Sequence, residues 1–537
     1  MEIAEGAAET QEKFAANEGA AAKEGALLRA EQQTHQRGVD TPARAASNRI
    51  LARAIRAYRK NNFKKTALLA LDATQADETN AHAFHVLALG LENLGQLYKA
   101  LQMYERAWRL GGDDCDLFIN LGLVAWRLGM LPAAETFFRR VMALNPLYVM
   151  AWNNLAGILR DAGRYAEAID IVRDAISRHP EESHLWNTVG TIMIEQAEWA
   201  QAETFFAEAV RLDAKNGRAF HNLGNALTHL SRFDDAISAF DAACVHAASP
   251  RDRAETVMAR SLCLMSMGRV AEGFDAYEGR HNRLTRGSSF YGVTGNVWKG
   301  ESLAGRRVGI ICEQGLGDEI MFAEVIPDVL EAIGENGTLM IASESRLVPL
   351  FQRSFPQAKC GAYHLTQSNG KAIRNAQWMN ADGPLDVFFP CGDALRYMRR
   401  DLSAFSGRAF LTPDPSRAAA FREQLAAFGP GPKIGICWRS MLTSGQRRKY
   451  FRNIDAWEKL LSVPGATFIN LQYGDCADEL THAREKLGVV IHEMPGLDLK
   501  HDLDGAAALS SVLDLAVAAP TAAAALAAAT GTETWFV

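Results

Sequence analysis

RVGIICEQGLGDEIMFAEV, residues 307–325, opens with the apolar run Val308, Ile310 and Ile311 and breaks at Gly315 and Gly317. The run has the length and β-branched character of a buried parallel strand. Asp318 then starts a segment in which Ile320, Met321 and Val325 recur at helical spacing. Strand, glycine turn and helix start, in that order, predict an anion site. The first N–H groups of a helix point outward, and its dipole favours negative charge. Glycine leaves room for a ligand and permits positive φ. Two glycines without a third argue against the dinucleotide fingerprint G-x-G-x-x-G. Asp318 has a second reading, as the cap of its own helix.

Downstream, apolar runs alternate with helical patterns. Strands are expected at 338–342 and 386–389, helices at 346–355 and 393–400. After Pro430 and Pro432 a second round begins, with strands at 433–438, 467–471, 488–491, 514–518 and 532–537. Its helices are expected at 454–461, 477–487, 505–513 and 521–529. Two such rounds predict two Rossmann-like domains, 307–430 and 431–537, facing each other across a cleft. Ligands in such folds bind at the carboxyl ends of the strands.

Upstream, residues 47–285 repeat with a period of 34. Phe84, Phe118, Trp152, Trp186 and Phe220 mark the register, followed by Leu87, Leu121, Leu155, Val189 and Leu223. Small residues recur beside them at Ala88, Gly122, Ala156, Gly190 and Gly224. A second helix carries Ala100, Ala134, Ala168, Ala202 and Ala236, with Tyr104, Phe138, Val172, Phe206 and Phe240 as its large knobs. Each unit reads as a helical hairpin, six or seven in all, whose small residues allow close approach while the large ones fill the gap to the next. Arg53 and Thr66 break the pattern in the first unit, which reads as a cap; the last slips to Gly273 and Tyr277 and ends in YEGRHNR, which is expected to dock on the next domain. Residues 286–306, with Gly287, Ser288, Ser289 and Gly292, read as a linker. Residues 1–46, rich in Ala, Glu and Gln, have too few large apolar residues to offset chain entropy and are expected to be a disordered tail with nascent helix.

The chain of 537 residues is 48% hydrophobic and 22% charged with a net charge of −6, an ordinary composition with no electrostatic case for nucleic acid or an anionic membrane. No apolar run is long enough to span a bilayer. The start, MEIAEGAAET, lacks a basic segment and an apolar core of the secretory kind. Eight cysteines are scattered without a C-x-x-C pair, as reduced thiols of a cytoplasmic protein would be.

The 34-residue units resemble the tetratricopeptide repeat, residue class by residue class. Asn120, Asn154 and Asn222, with Thr188 completing the row, recur at one position expected to line the protein-binding groove. The row is similar to the asparagine ladder of O-linked N-acetylglucosamine transferases; asparagine is also simply common at this repeat position. EQGLGDEIMF (313–322), NLQYGDCADEL (470–480) and APTAAAALAAATG (519–531) extend the resemblance to GT-B-type glycosyltransferases. The chain looks like bacterial proteins that join tetratricopeptide repeats to such a domain. It is similar to heptosyltransferases and above all to flagellin glycosyltransferases.

That resemblance implies an α-solenoid followed by a GT-B pair of Rossmann-like domains, and a glycosyltransferase that moves a sugar from a nucleotide-sugar to Ser or Thr of a protein, flagellin, held by the repeats. It implies that Gln314, Gly315 and Gly317 form the acceptor-side loop and that Asp318 is the general base. On the donor side it places Trp438, Arg439, Lys449, Gln472, Tyr473 and Thr521, with Thr521 and its helix start on the donor phosphates. No metal or cofactor is implied, and Asp502 and Asp504 are expected to serve structure, Asp504 as a helix cap. The chain departs from the family around Thr521, where Pro520 precedes and Ala522 to Ala525 follow in place of acidic and histidine residues. The family's second domain ordinarily continues past the point where this sequence stops at Val537, so the sequence is either incomplete or unusually short there. The rival reading is a non-catalytic adaptor that keeps only the fold.

Overall fold

Hydrophobic periodicity becomes packing as soon as the repeat helices are placed. The computed structural model describes residues 20–35, 41–112, 114–281, 290–368, 371–441, 451 and 453–537. The chain divides into two compact units, Met1–Leu230 and Ser231–Val537.

The described residues of the first unit form helices and turns. A single helix α1 (Ala20–His35) is followed by five hairpins. These are α2 (Pro42–Arg59) with α3 (Phe63–Ala76), α4 (Ala81–Asn93) with α5 (Leu97–Arg109), and α6 (Cys115–Arg127) with α7 (Leu131–Leu144). Then come α8 (Val149–Asp161) with α9 (Tyr165–Arg178), and α10 (Ser183–Glu195) with α11 (Trp199–Leu212); α12 (Gly217–His229) closes the unit. The periodic residues are the buried ones: Ala100, Ala134, Ala168 and Ala202 with Tyr104, Phe138, Val172 and Phe206. Gly122 and Gly190 show why the small position is strict. A Cβ there would sit 2.7 Å from the Phe138 ring and 2.5 Å from the Phe206 ring. Trp152 and Trp186 each donate an indole N–H to the carbonyl of Pro146 and Pro180, at 2.8 Å, so the recurring Trp and Pro fix the entry to their hairpins together.

The expectation of a disordered tail is corrected for residues 20–35 and 41–46, while residues 1–19 and 36–40 lie outside the described residues. Residues 20–35 are helical, and the first repeat helix starts at Pro42 behind the cap Thr41. Alone, this segment cannot form a core, but the repeats complete one around it: Ala22, Ala26, Leu27 and Ala30 are buried.

The second unit starts with repeat-type helices α13 (Phe233–Val245), α14 (Pro250–Ser266) and α15 (Val270–Tyr277), and a 3₁₀ turn at Glu278–His281. Val270 and Phe274 share a core with Val308, Ile310, Ile320 and Phe389, so α15 packs as part of the α/β body. The docking expected of YEGRHNR is seen through Arg280. The expected linker, 286–306, contains two strands, β1 (Phe290–Gly292) and β2 (Gly295–Val297), and a buried Trp298.

The strands that follow are β3 (Arg307–Ile311), β4 (Thr338–Ser343), β5 (Ala358–Ala362), β6 (His364–Ser368), β7 (Lys371–Asn375) and β8 (Leu385–Pro390). The last round has β9 (Lys433–Cys437), β10 (Thr467–Asn470), β11 (Ile491–His492), β12 (Leu515–Ala518) and β13 (Thr534–Phe536). The helices between them are α16 (Leu316–Phe322), α17 (Ile326–Ile333), α18 (Val348–Ser354), α19 (Cys391–Met398) and α20 (Pro415–Ala426). They continue with α21 (Glu458–Leu461), α22 (Ala477–Lys486), α23 (Leu503–Ser510) and α24 (Ala522–Ala529). Two five-stranded sheets result, β2-β8-β3-β4-β5 and β11-β10-β9-β12-β13, and all their pairings are parallel. In each, the first strand of the round (β3 or β9) lies centrally and the strand order reverses beside it, which is the Rossmann-type switch point. A third sheet, β1-β7-β6, with an antiparallel hairpin, was not evident from the sequence.

Candidate functional site

The two switch points meet. Gly317, in the first turn of α16, lies against the start of α24: a Cβ built on it would be 3.5 Å from the Ala522 Cα and N and 3.8 Å from the Thr521 carbonyl carbon. Ala525, Leu526 and Ala529 share one apolar cluster with Ile320 and Phe322. The alanines at 522–525 are therefore small because a second helix passes closely over them, which accounts physically for a stretch that departs from the family pattern.

At the turn itself the positive φ belongs to Gln314 (φ 64), while Gly315 is extended with φ −104. This corrects the expected role of the glycines. Arg374 from β7 donates to the Gln314 carbonyl at 2.8 Å and holds that conformation. Asp318 is half-buried and accepts the Gly315 N–H at 2.9 Å, so it does cap its helix, and that amide is met by the protein itself.

Two buried acids flank the turn that the sequence did not single out. Glu313 receives Arg280 at 2.5 Å and the Tyr291 hydroxyl at 2.9 Å. The same guanidinium reaches Asp393 at 2.5 Å, and His281 Nε2 lies 2.8 Å from that carboxylate. Burial pushes Asp393 up, but its hydrogen bond to His281 and the Arg280 charge outweigh this and hold it below the usual carboxylate range. His281, Glu313 and Asp393 are the one group among the described residues with metal-ligand types close together. With Arg280 already bridging both carboxylates, the group serves as a charge network. Glu319, on the first turns of α16, accepts from the Tyr363 hydroxyl at 2.6 Å and the Glu344 N–H at 2.9 Å. Burial raises its pKa to about 7, against the lowering effect of those two donors.

On the second sheet, Thr521 precedes α24 and makes no side-chain cap bond to it, and its hydroxyl lies 3.6 Å from Cys437 Sγ at the end of β9. The first amides of α24 thus have no side-chain cap from Thr521. Burial raises the Cys437 thiol to about 11, so it stays neutral here. Three of the expected donor-side residues are engaged with the protein itself. Trp438 is fully buried, with its indole N–H on Glu479 at 2.9 Å. Arg439 is ion-paired with Glu479, Nε to Oε1 at 2.8 Å, and donates to the Asp475 carbonyl. Gln472 is buried and accepts the Arg439 N–H at 2.9 Å while donating to the Tyr473 carbonyl at 3.1 Å. These residues brace the ends of β9 and β10 from within. Tyr473 is half-buried with its hydroxyl 3.3 Å from Ser440 Oγ. Lys449 lies outside the described residues. Asp502, rather than Asp504, caps α23, accepting the Gly505 N–H at 2.9 Å and pairing with Arg417, and Asp504 pairs with Arg353.

In the first unit, Asn120, Asn154 and Thr188 of the expected row are buried. Asn120 Nδ2 lies 3.1 Å from His85 Nε2, Thr188 donates to Asn153 at 2.6 Å, and the half-buried Asn222 donates to Asn187 at 2.9 Å. Each of these bonds links one repeat to the previous one.

Helical repeats joined to two parallel, Rossmann-like sheets define a tetratricopeptide protein with an α/β C-terminal part. The Tetratricopeptide repeat family model matches residues 119–183 and 193–253. Protein FlbA of Caulobacter vibrioides is 39% identical over 483 residues, covering 90% of this chain and 81% of FlbA, and the chain belongs to the FlbA family. Protein O-mannosyl-transferase TMTC3 of Homo sapiens is 22% identical over 197 residues, 34% of this chain, which spans only 21% of that relative. Among solved structures, MamA matches 31% of this chain and 96% of its own at 19% identity and a TM-score of 0.28. A tetratricopeptide repeat protein from Parabacteroides merdae matches 44% and 95% at 11% identity and a TM-score of 0.38. No helix among the described residues is long and apolar enough to cross a membrane.

Proposed function

We propose that this protein is a glycosyltransferase that moves a sugar from a nucleotide-sugar to a Ser or Thr hydroxyl of a protein, flagellin, held by the repeats. The observation that carries the reading is the meeting of two Rossmann-type switch points at Gly317 and Ala522. The acidic turn lies on one side and a helix start with no side-chain cap on the other. Asp318 takes the proton of the acceptor hydroxyl as its oxygen bonds to the sugar carbon. The nucleoside diphosphate leaves with the electron pair of the broken bond, its charge met by the first amides of α24. No metal is required in this scheme. The name of TMTC3 gives limited support, since it is a protein O-mannosyl-transferase and shares only a fifth of its length with this chain.

The adaptor reading draws on three of the donor-side residues. Trp438, Arg439 and Gln472 all spend their polar groups on the protein's own framework. Asp318→Asn separates the two. Asparagine keeps an oxygen to cap Gly315 but cannot take a proton, and general-base catalysis contributes about 10²–10⁴-fold. Intact mass of flagellin incubated with enzyme, nucleotide-sugars and chelator should show transfer by the native chain, with at least about a hundredfold loss in Asp318→Asn at unchanged stability. Equal rates in the two would remove Asp318 as the base. Absence of transfer by the native chain across uridine, cytidine and guanosine donors would favour the adaptor.

A further inference from the structure

Helix α1 is seated on the first helices of three successive hairpins, α2, α4 and α6. Its contact ridge is Ala22, Ala26 and Ala30 at four-residue spacing, with Leu27 beside it, all buried. Small side chains let the helix sit deep between its neighbours, and this ridge has the i, i+4, i+8 form of a helix-in-groove ligand. Charge fixes its orientation. Lys23 meets Glu92 at 2.6 Å, a buried acid also bound by Arg127 at 3.0 Å and the Tyr104 hydroxyl at 2.7 Å. Arg29 meets Asp114 at 3.2 Å and also pairs with Asp116. On the other flank Glu31 pairs with Arg59 at 2.8 Å. The repeats therefore present an acidic row, Glu92, Asp114 and Asp116, to the basic flank of the helix. Beyond Gln33 the groove continues into a cavity of about 380 Å³ lined by Arg44, His82, His85 and Asp114.

We propose that this face is a docking groove for an alanine-faced helix with a basic flank, that α1 is its resident occupant, and that a protein acceptor gains entry by presenting an equivalent helix in its place. The acceptor part rests on the reading that the repeats hold a protein. The occupant of the groove in the free chain is α1, and the incoming partner is a helix of the same chemistry. Entry is then a competition, because a ligand binds only as far as it outcompetes the segment already there.

The test uses the full chain and a fluorescent peptide of the α1 sequence, AAAKEGALLRAEQQTH. Two variants release α1: Ala26→Glu with Ala30→Glu, which spoils the ridge, and Lys23→Glu with Arg29→Glu, which reverses the charge. In both, amides of residues 20–35 should lose hydrogen-exchange protection while α4 and α6 keep theirs. Both should bind the peptide about tenfold or more tightly than the native chain, whose groove is filled. A peptide carrying the two charge reversals should bind about tenfold or more weakly. Equal binding of the peptide by native chain and variants, or none by a variant with native protection in α4 and α6, overturns the groove. Flagellin that displaces the peptide supports the shared site. Flagellin that is glycosylated but leaves the peptide in place overturns the acceptor part while the proposed activity stands. Peptide exchange with no transfer to any acceptor supports the groove and removes the activity instead.

Discussion

Replacing Glu319 by Gln should make the protein more stable at neutral pH, although it removes a hydrogen-bonded acid from the start of α16. Glu319 is 1% exposed, and burial raises its pKa from 4.5 to about 7. The folded chain thus holds this proton more tightly than the unfolded chain does. Between those two values the unfolded state releases the proton first, so stability falls as pH rises from 4.5 to about 7 and is level beyond. At about 1.4 kcal/mol per pH unit, the loss above pH 7 comes to about 3 kcal/mol. Glutamine is neutral throughout, can accept from the Glu344 N–H and can donate to the Tyr363 oxygen. Glu319→Gln should therefore match the native chain at pH 4.5 and exceed it by about 3 kcal/mol at pH 8. Urea-dependent oxidation of the buried Met340 and Met379, read by mass spectrometry, reports unfolding of the sheet that Glu319 braces. A difference that is the same at pH 4.5 and pH 8, or a variant weaker than the native chain at pH 8, would refute the assignment of a proton to this site.

Two further substitutions test the packing arguments. Arg280→Met should destabilise the second unit by about 3–5 kcal/mol, because it strands Glu313 and Asp393 as buried charges, and adding Glu313→Gln should recover part of the loss in the same oxidation assay. Gly122→Ala should cost the first unit about 1–3 kcal/mol, since its Cβ would meet the Phe138 ring at 2.7 Å, and Phe138→Leu added to it should narrow the deficit in urea unfolding followed by circular dichroism.

The repeats were legible because their information is local. Each 34-residue unit places the small residue and its facing ring on the two helices of one hairpin, and Gly122 against Phe138 is the outcome. The central strands were legible for a similar reason: β3 and β9 are short, nearly unbroken runs of buried residues. The strands β5, β6 and β7 carry Lys359, His364, Gln367, Lys371 and Arg374 in short stretches, so no apolar alternation marks them. Helix α1 was expected only as nascent helix in a disordered tail, because its core is supplied from elsewhere in the chain. Site residues divided in the same way. Thr521 and Gly317 were found as turn residues, but their contact joins positions some two hundred residues apart, which no spacing predicts. Trp438 and Gln472 sit at strand ends as expected. Which way a side chain points there depends on Glu479 and Arg439, and a strand-end position alone does not settle it.

The pairing of Arg280 with Glu313 and Asp393 bears on how recognition modules in this family can be interchanged. A repeat array can be exchanged between relatives only if the cut leaves each side with its own core. Cutting where the 34-residue pattern ends would separate Val270 and Phe274 from Ile310 and Ile320, and Arg280 from the strand end that leads into Gln314. A graft that keeps this chain from Ser231 onward preserves all of those contacts. Chimaeras joined at that point should inherit the partner preference of the donor array and the chemistry of the recipient, whereas those joined some fifty residues later should fail to fold.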